Sequence, residues 1–303
     1  MYFETIAFSI PFYNEKYLTC AKPYGIIREI SRLWLLDLGD KVEQRKVKLL
    51  FYDIEVCRDV VEGYGNKWDF KVVKWVRHQE LMCYSYKWRG DKKPTFVYRH
   101  QFSTMKEFLT SIRDLQTEAD ICVAHNGKKF DDKMMNRFYV KNDVDLPSPF
   151  FSVDTCQVAR SKYKFHSNSL NELADYLELG HKENITYKDL EDDFMSKEPA
   201  PKTISLMKKY NNMDVELLEK LYDKLLPGIS NHPNMARLSN VHDACPQCGN
   251  TDEELIGREK YRPTKMGLYM QYKCKVCKKY FQSARPIDPT FDVKPRFRNI
   301  AGN

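Results

Sequence analysis

Apolar positions along this chain fall into two regimes. Between residues 47 and 126 they come as short runs broken by polar stretches: VKLLFYDIEV (47–56), ELMCYSYKW (80–88), TFVYRH (95–100) and DICVAHN (120–126). Runs of that length, rich in β-branched and aromatic residues, predict strands. A helix is predicted between the last two, where Met105, Phe108, Ile112 and Leu115 recur at helical spacing behind Ser103 as its cap. Beyond Asn126 the period lengthens. DDKMMNRFYV (131–140), SLNELADYLEL (169–179) and the long segment 203–226 read as helices, the last stopped by Pro227-Gly228. Strands first and helices afterwards predict an α/β domain, a mixed sheet flanked by helices. Ahead of it, Ile26, Ile30, Leu33 and Trp34 at helical spacing predict a mostly helical segment over residues 1–46, of open role.

Two positions break the pattern of the first strand. Asp53 and Glu55 interrupt an otherwise apolar run, and side chains two apart on a strand point to the same face. Two neighbouring carboxylates repel and raise each other's pKa. A divalent cation removes the conflict, and an all-oxygen donor set favours Mg²⁺ or Mn²⁺. The D-x-E pattern alone says little, since it recurs at Asp189/Glu191, Asp214/Glu216 and Asp252/Glu254. Two later stretches could complete a metal site. AHNGKKFDD (124–132) ends a strand in His125-Asn126 and begins a helix near Asp131. In KYNNMDVELL (209–218), Tyr210 and Asp214 share a helix face continued by Leu217, Leu218 and Leu221, which puts a carboxylate on an inward stripe. By contrast, Asp154 reads as a helix cap and His125 as a packing residue at a strand end. Glu191, Asp192 and Asp193 read as a solvated acidic face.

Taken in order, FYDIEV, HNGKKFD and YNNMD resemble the three exonuclease motifs of the DEDDy 3′–5′ exonucleases. That proofreading superfamily has an RNase H-like fold and includes the exonuclease domains of B-family DNA polymerases. The resemblance spans residues 47–228, and the chain is similar to stand-alone phage-type members with an appended zinc ribbon. It implies that Asp53, Glu55, Asp131 and Asp214 ligate two catalytic Mg²⁺ or Mn²⁺ ions, with Asp53 between them. It also implies that Tyr210 orients the attacking water and that Asn126 and Phe130 lie beside the terminal nucleotides. The implied reaction is hydrolysis of phosphodiester bonds at a 3′ end, of DNA rather than RNA, with release of nucleoside monophosphates. An exoribonuclease, a structure-specific nuclease on the same fold, or an inactive nucleic-acid-binding protein remain as alternatives.

Charge and cysteines set the C-terminal quarter apart. The chain carries a net charge of +7, yet residues 231–303 hold 13 Lys and Arg against 7 Asp and Glu, nearly the whole excess. Cys245-Pro-Gln-Cys248 and Cys274-Lys-Val-Cys277 form two C-x-x-C pairs 25 residues apart, the donor set of one structural, tetrahedral Zn²⁺. This predicts a linker and basic zinc-ribbon domain over residues 229–303, with the ribbon core at 243–284. Lys273, Lys275, Lys278 and Tyr280 interleave cations with an aromatic ring, a nucleic-acid footprint. The expected partners are therefore nucleic acid and, for a chain too short to hold a polymerase as well, a separate polymerase or replication or recombination protein. Cys20, Cys57, Cys83, Cys122 and Cys156 stand singly and read as buried reduced thiols. With no leader-like start and no apolar run of bilayer length, the expected location is the cytoplasm, and no membrane is involved.

Overall fold

The computed structural model describes residues 44–66, 68–181, 187–252, 256–264 and 267–287. Residues 1–43, with most of the predicted helical segment and Cys20, lie outside them. The chain runs β1 (Leu49–Val56), β2 (Val60–Tyr64), β3 (Lys71–Arg77), β4 (Leu81–Trp88), β5 (Thr95–Tyr98), α1 (Met105–Glu118), β6 (Ile121–Ala124), α2 (Asp131–Lys141) and β7 (Phe151–Asp154). It continues through α3 (Thr155–Lys162), α4 (Leu170–Tyr176), α5 (Tyr187–Phe194), α6 (Pro201–Leu225) and α7 (Met235–Ser239), then β8 (Ile256–Thr264), β9 (Gly267–Cys274) and β10 (Tyr280–Gln282). The main sheet has the order β5-β4-β1-β6-β7, antiparallel on the β4 side of β1 and parallel on the β6 side. This mixed sheet flanked by helices is the RNase H-like arrangement.

Alternation along β1 assigns its residues to two layers. Leu50, Tyr52 and Ile54 pack with Phe108, Leu109 and Ile112 of α1 and with Met135, Phe138 and Tyr139 of α2. Leu49 and Phe51 face the other way, into a core made with Val158 of α3, Leu173 of α4 and Val215, Leu218 and Leu221 of α6. Asp53 and Glu55 continue this second face, so the helix covering them is α6. The Phe51 and Tyr222 rings meet edge-on at 5.4 Å. Lys87 of β4 reaches Glu219 at 2.5 Å, clamping α6 to the sheet from its outer side.

Local chemistry moved two of the expected boundaries. The cap of α1 is Thr104, not Ser103: its hydroxyl accepts from the Glu107 N–H at 3.1 Å, while the Glu107 carboxylate accepts from the N–H of Thr104 at 3.3 Å and of Ser103 at 3.1 Å. Only Thr104 has Glu three residues ahead, so only it closes this reciprocal box. Helix α6 starts at Pro201, whose missing N–H costs nothing in a first turn, and gives way to a 3₁₀ turn at Leu226–Gly228. Strand β7 and the β2–β3 hairpin were not predicted. The first spans only four residues, and the hairpin forms a separate two-stranded sheet whose side chains lie mostly in solvent.

Glu191 overturns the reading of its segment as a solvated face. It is fully buried, and its carboxylate accepts from the Arg58 backbone N–H at 2.9 Å, Arg58 Nε at 2.6 Å and Arg77 Nη2 at 3.2 Å. Asp192 and Asp193 belong to the same α5 turn, and the 0%-exposed side chain is Glu191's alone among the three. Changing both Arg58 and Arg77 to Ala strands this charge in the interior. We expect about 3–5 kcal/mol of lost stability, read from the urea midpoint, with partial recovery when Glu191→Gln is added.

Candidate active site

Strands β1, β6 and β7 run parallel, and their C-terminal ends lie together. Strand β6 pairs with β1 only through Leu49–Phe51, so beyond Phe51 that edge of β1 is open. Asp53 and Glu55 project from this overhanging half. Opposite them on β4 stand Ser85 and Cys83, small side chains that leave room above the carboxylates. From the helical layer α6 brings Asp214, buried at 5% exposure, and one carboxylate oxygen from each of Asp53, Glu55 and Asp214 lies within 4.8 Å of the other two. Residues about 160 positions apart in sequence thus share one site. Three carboxylates this close repel by about 3 kcal/mol per ionised pair at an effective dielectric of 20, a conflict that a divalent cation relieves. The donor set is all oxygen, which fits Mg²⁺ or Mn²⁺.

Asp131 is the first residue of α2 and is buried. It is not within the 4.8 Å cluster, although it lies close enough to β1 for the Ile54 backbone to favour its ionised form. Burial, with the neighbouring Asp132 adding to it, pushes the Asp131 carboxyl up to about 7. Asp132 has other work: it accepts from Tyr52 Oη at 2.8 Å and Ser152 Oγ at 3.3 Å in the opposite layer. Tyr210 stands one turn before Asp214 on α6. Asn126 adopts φ 67°, and its N–H donates to Asp154 Oδ1 at 3.0 Å. Asp154 also caps α3, accepting from Gln157 N–H at 3.0 Å. Phe130 leaves 42% of its surface in solvent beside the buried Asp131. Gly127, earlier on the same loop, is required, because a Cβ there would sit 2.5 Å from Ala124 Cβ. His125 lies 2.9 Å from both Thr155 Oγ1 and the Asn168 carbonyl, and burial lowers its pKa.

Asn211 is the polar residue that motif reading passed over. Its side-chain amide donates to Asp53 Oδ2 at 2.7 Å, and its neighbour Asn212 accepts from Ser85 Oγ at 2.7 Å. Asn211 is fully buried, and among the described residues its Oδ1 has no hydrogen-bond partner. Its place three residues before Asp214, on the same helix face, was the available signal. Asn211→Ala frees the Asp53 carboxylate to rotate. A loss of about 10–100-fold in metal affinity or turnover is expected from titrating Mn²⁺ against activity.

The four C-terminal cysteines also converge. Their sulfurs lie within 4.8 Å of one another, with Cys245–Cys277 at 3.7 Å and Cys248–Cys274 at 3.8 Å. Sulfurs at the corners of a tetrahedron with ~2.3 Å bonds to a central zinc would be about 3.8 Å apart, so the spacing fits that ion. The two loops match: Gly249 N–H donates to Cys245 O and Lys278 N–H to Cys274 O, both at 2.9 Å, with φ 75° at Gly249 and 63° at Lys278. The ribbon sheet β10-β9-β8 does not stand apart. Cys245, Cys274 and Cys277 belong to the same core as Leu218, Leu221 and Leu225 of α6. Buried Gln247 donates to the carbonyls of Leu226 and Ile229, and Lys279 to those of Pro227 and Ile229. Lys273 lies over the Tyr280 ring at 5.0 Å from its centre, while Lys275 and Lys278 are exposed.

Comparison with known proteins bears on the fold. Residues 77–226 match a family model of the RNase_H superfamily, RNase_H_2. That segment begins after β1, so the Asp53/Glu55 pair rests on geometry. No curated protein matches the chain. Among solved structures, the family B DNA polymerase of the hyperthermophilic archaeon Pyrobaculum calidifontis aligns with 65% of this chain and 26% of its own, at 16% identity and a TM-score of 0.42. No described helix is long and apolar enough to cross a membrane. The superfamily match and the acidic cluster support a nuclease acting on nucleic acid. Residues 77–226 of this chain are thus similar to the RNase H superfamily.

Proposed function

We propose that this protein is a 3′–5′ exonuclease that hydrolyses the terminal phosphodiester bond of nucleic acid, DNA in preference to RNA, using two Mg²⁺ or Mn²⁺ ions. The convergence of Asp53, Glu55 and Asp214 from a strand and a distant helix carries this reading. Asp53, Glu55 and Asp214 would hold the cations, with Asp131 joining from the head of α2. When bound, such ions activate water and neutralise charge developing on the phosphate. The remaining tasks fall to the chain. Asn211 fixes the Asp53 carboxylate, and Tyr210 offers a phenol that orients the attacking water. A phenol both donates and accepts hydrogen bonds, which suits it to orientation. Asn126 and Phe130, on the loop leading into Asp131, would bind the last nucleotides, with Phe130 stacking on a base. The water oxygen bonds to phosphorus, the bond to the 3′ oxygen breaks, and a nucleoside 5′-monophosphate leaves.

The catalytic domain would span residues 47–228, and residues 229–303 would form a ribbon held by one Zn²⁺ on Cys245, Cys248, Cys274 and Cys277. Its exposed Lys275 and Lys278, with Lys273 and Tyr280, would hold substrate phosphates and bases. Such an enzyme would work in the cytoplasm beside a separate polymerase or recombination protein. Digestion of 5′-labelled single-stranded DNA and RNA with Mg²⁺ or Mn²⁺ tests the proposal. The expected product is a ladder shortening from the 3′ end, faster on DNA. Tight binding without metal-dependent cleavage of either polymer would refute it.

A further inference from the structure

Among the described residues nothing covers either face of the β2–β3 hairpin, an arrangement that is marginal in water unless something else uses it. It concentrates exposed apolar surface: Tyr64, Trp68, Phe70 and Trp75 are all exposed, Trp68 to 89%. Exposed apolar surface gathered in one place marks an interaction site. The tip is shaped, because the Asn66 side-chain oxygen accepts from the N–H of Trp68 at 2.9 Å and of Asp69 at 3.2 Å. Tyr64 pairs with Lys71 and Glu62 with Lys74, and the register shift between these pairs puts both lysines on the Tyr64 face, while Trp75, paired with Val61, lies on the other.

The root is fixed to the proposed active site. Strand β2 begins five residues after Glu55, a span of at most about 18 Å. Arg58 and Arg77, at the two ends of the hairpin, both bind the buried Glu191 of α5. Asp59 accepts from the Gln79 N–H at 3.0 Å and closes the base. Beneath it, Cys57, Met82 and Cys83 pack with Phe194 of α5 and Met207 of α6. Cys83 pairs with Glu55, so this cluster lies on the sheet face that carries the catalytic carboxylates. The hairpin is thus a rigidly rooted arm at the rim of that face.

We propose that this arm binds the single-stranded substrate upstream of the scissile bond, with Trp68 and Trp75 stacking on bases and Lys71 and Lys74 contacting phosphates. Exposed aromatics beside lysines are what a polyanion with stackable bases requires. Of the five Lys and Arg in residues 58–78, Arg58 and Arg77 are taken up by Glu191, so phosphate contacts fall to the lysines, Lys71 and Lys74 among them. Continuity with a site that would act on the same strand favours nucleic acid over a protein as occupant. The inference rests on the proposed nuclease reading.

The test uses the full chain in EDTA, where binding is read without hydrolysis, by anisotropy of a fluorescein-labelled oligonucleotide of about 20 nucleotides. Trp68→Ala/Trp75→Ala should weaken binding by about 10–100-fold, and Lys71→Glu/Lys74→Glu should weaken it and flatten its salt dependence. Both should keep the wild-type melting temperature. Both should also hydrolyse the nitrophenyl ester of thymidine 5′-monophosphate at the wild-type rate, since it is too short to reach the arm. Unchanged oligonucleotide affinity in both variants overturns the proposal. So does a wild-type dimer that the tryptophan variant converts to monomer with affinity intact, which would give the hairpin to a second copy of the chain. If the wild-type protein cleaves nothing yet the tryptophan variant loses binding, the arm stands and the nuclease reading falls.

Discussion

Asp53→Asn should reduce hydrolysis by about three orders of magnitude or more, on the order of 4 kcal/mol of transition-state stabilisation. The substitution keeps the shape of the side chain and an oxygen able to accept from Asn211, which now donates to Asp53 Oδ2. It removes one of three charges whose oxygens lie within 4.8 Å. The fold should therefore survive. In EDTA the variant should melt at or above the wild-type temperature, because one repulsive pair on each side of Asp53 has gone. With Mn²⁺ the order should reverse. Ligand binding to the native state adds about 2.7 kcal/mol at a hundredfold excess over Kd, a gain the wild type makes and the variant forfeits. Activity assays together with melts in EDTA and in Mn²⁺ separate this from simple unfolding. A variant that keeps both turnover and the metal-induced rise in melting temperature would remove Asp53 from the site.

Replacing Cys245 and Cys274 together by Ser should be as damaging to the fold as Asp53→Asn is to catalysis. Structural zinc in a four-cysteine site contributes roughly 10 kcal/mol or more, comparable to the whole net stability of a domain. In this chain the loss would not stay local. Three of the cysteines are packed in one core with Leu218, Leu221 and Leu225, and Gln247 and Lys279 tie the ribbon to the end of α6. That helix carries Asn211 and Asp214. The variant should lose its single zinc equivalent by elemental analysis and become cleavable by protease between residues 245 and 280. Its melting transition should be broadened and lowered, and nuclease activity should fall through disorder of α6. A full zinc equivalent retained by the variant would exclude these cysteines as the ligands.

How much of the site could be read in advance differed from residue to residue. Strand β1 was legible because its apolar run is long, and Asp53 and Glu55 stood out as acids in such a run. Asp214 was legible because it lies on a stripe of leucines. Asp131 and Asp132 were adjacent in sequence and separable only in space, where Asp132 is taken up by Tyr52 and Ser152. Asn211 carried no sequence signal of its own beyond its helix phase. Glu191 was misread for the opposite reason. In an acidic run, charge predicts solvent, and only the approach of Arg58 and Arg77 from the root of the hairpin makes burial tolerable.

By itself, the amino-acid sequence determined the class of fold, the order of most elements, the acids available for a metal and the four thiols available for another. These follow from periodicity and from residue types whose chemistry has few alternatives. The tertiary structure decided which of those groups meet. It brought Asp214 to Asp53 and Glu55, seated three of the four C-terminal cysteines in the core of α6, buried Glu191 and left the β2–β3 hairpin in solvent. Local pattern records which face of an element is apolar. Which distant face covers it depends on packing between segments far apart in the chain, and that information is present only once the layers have closed.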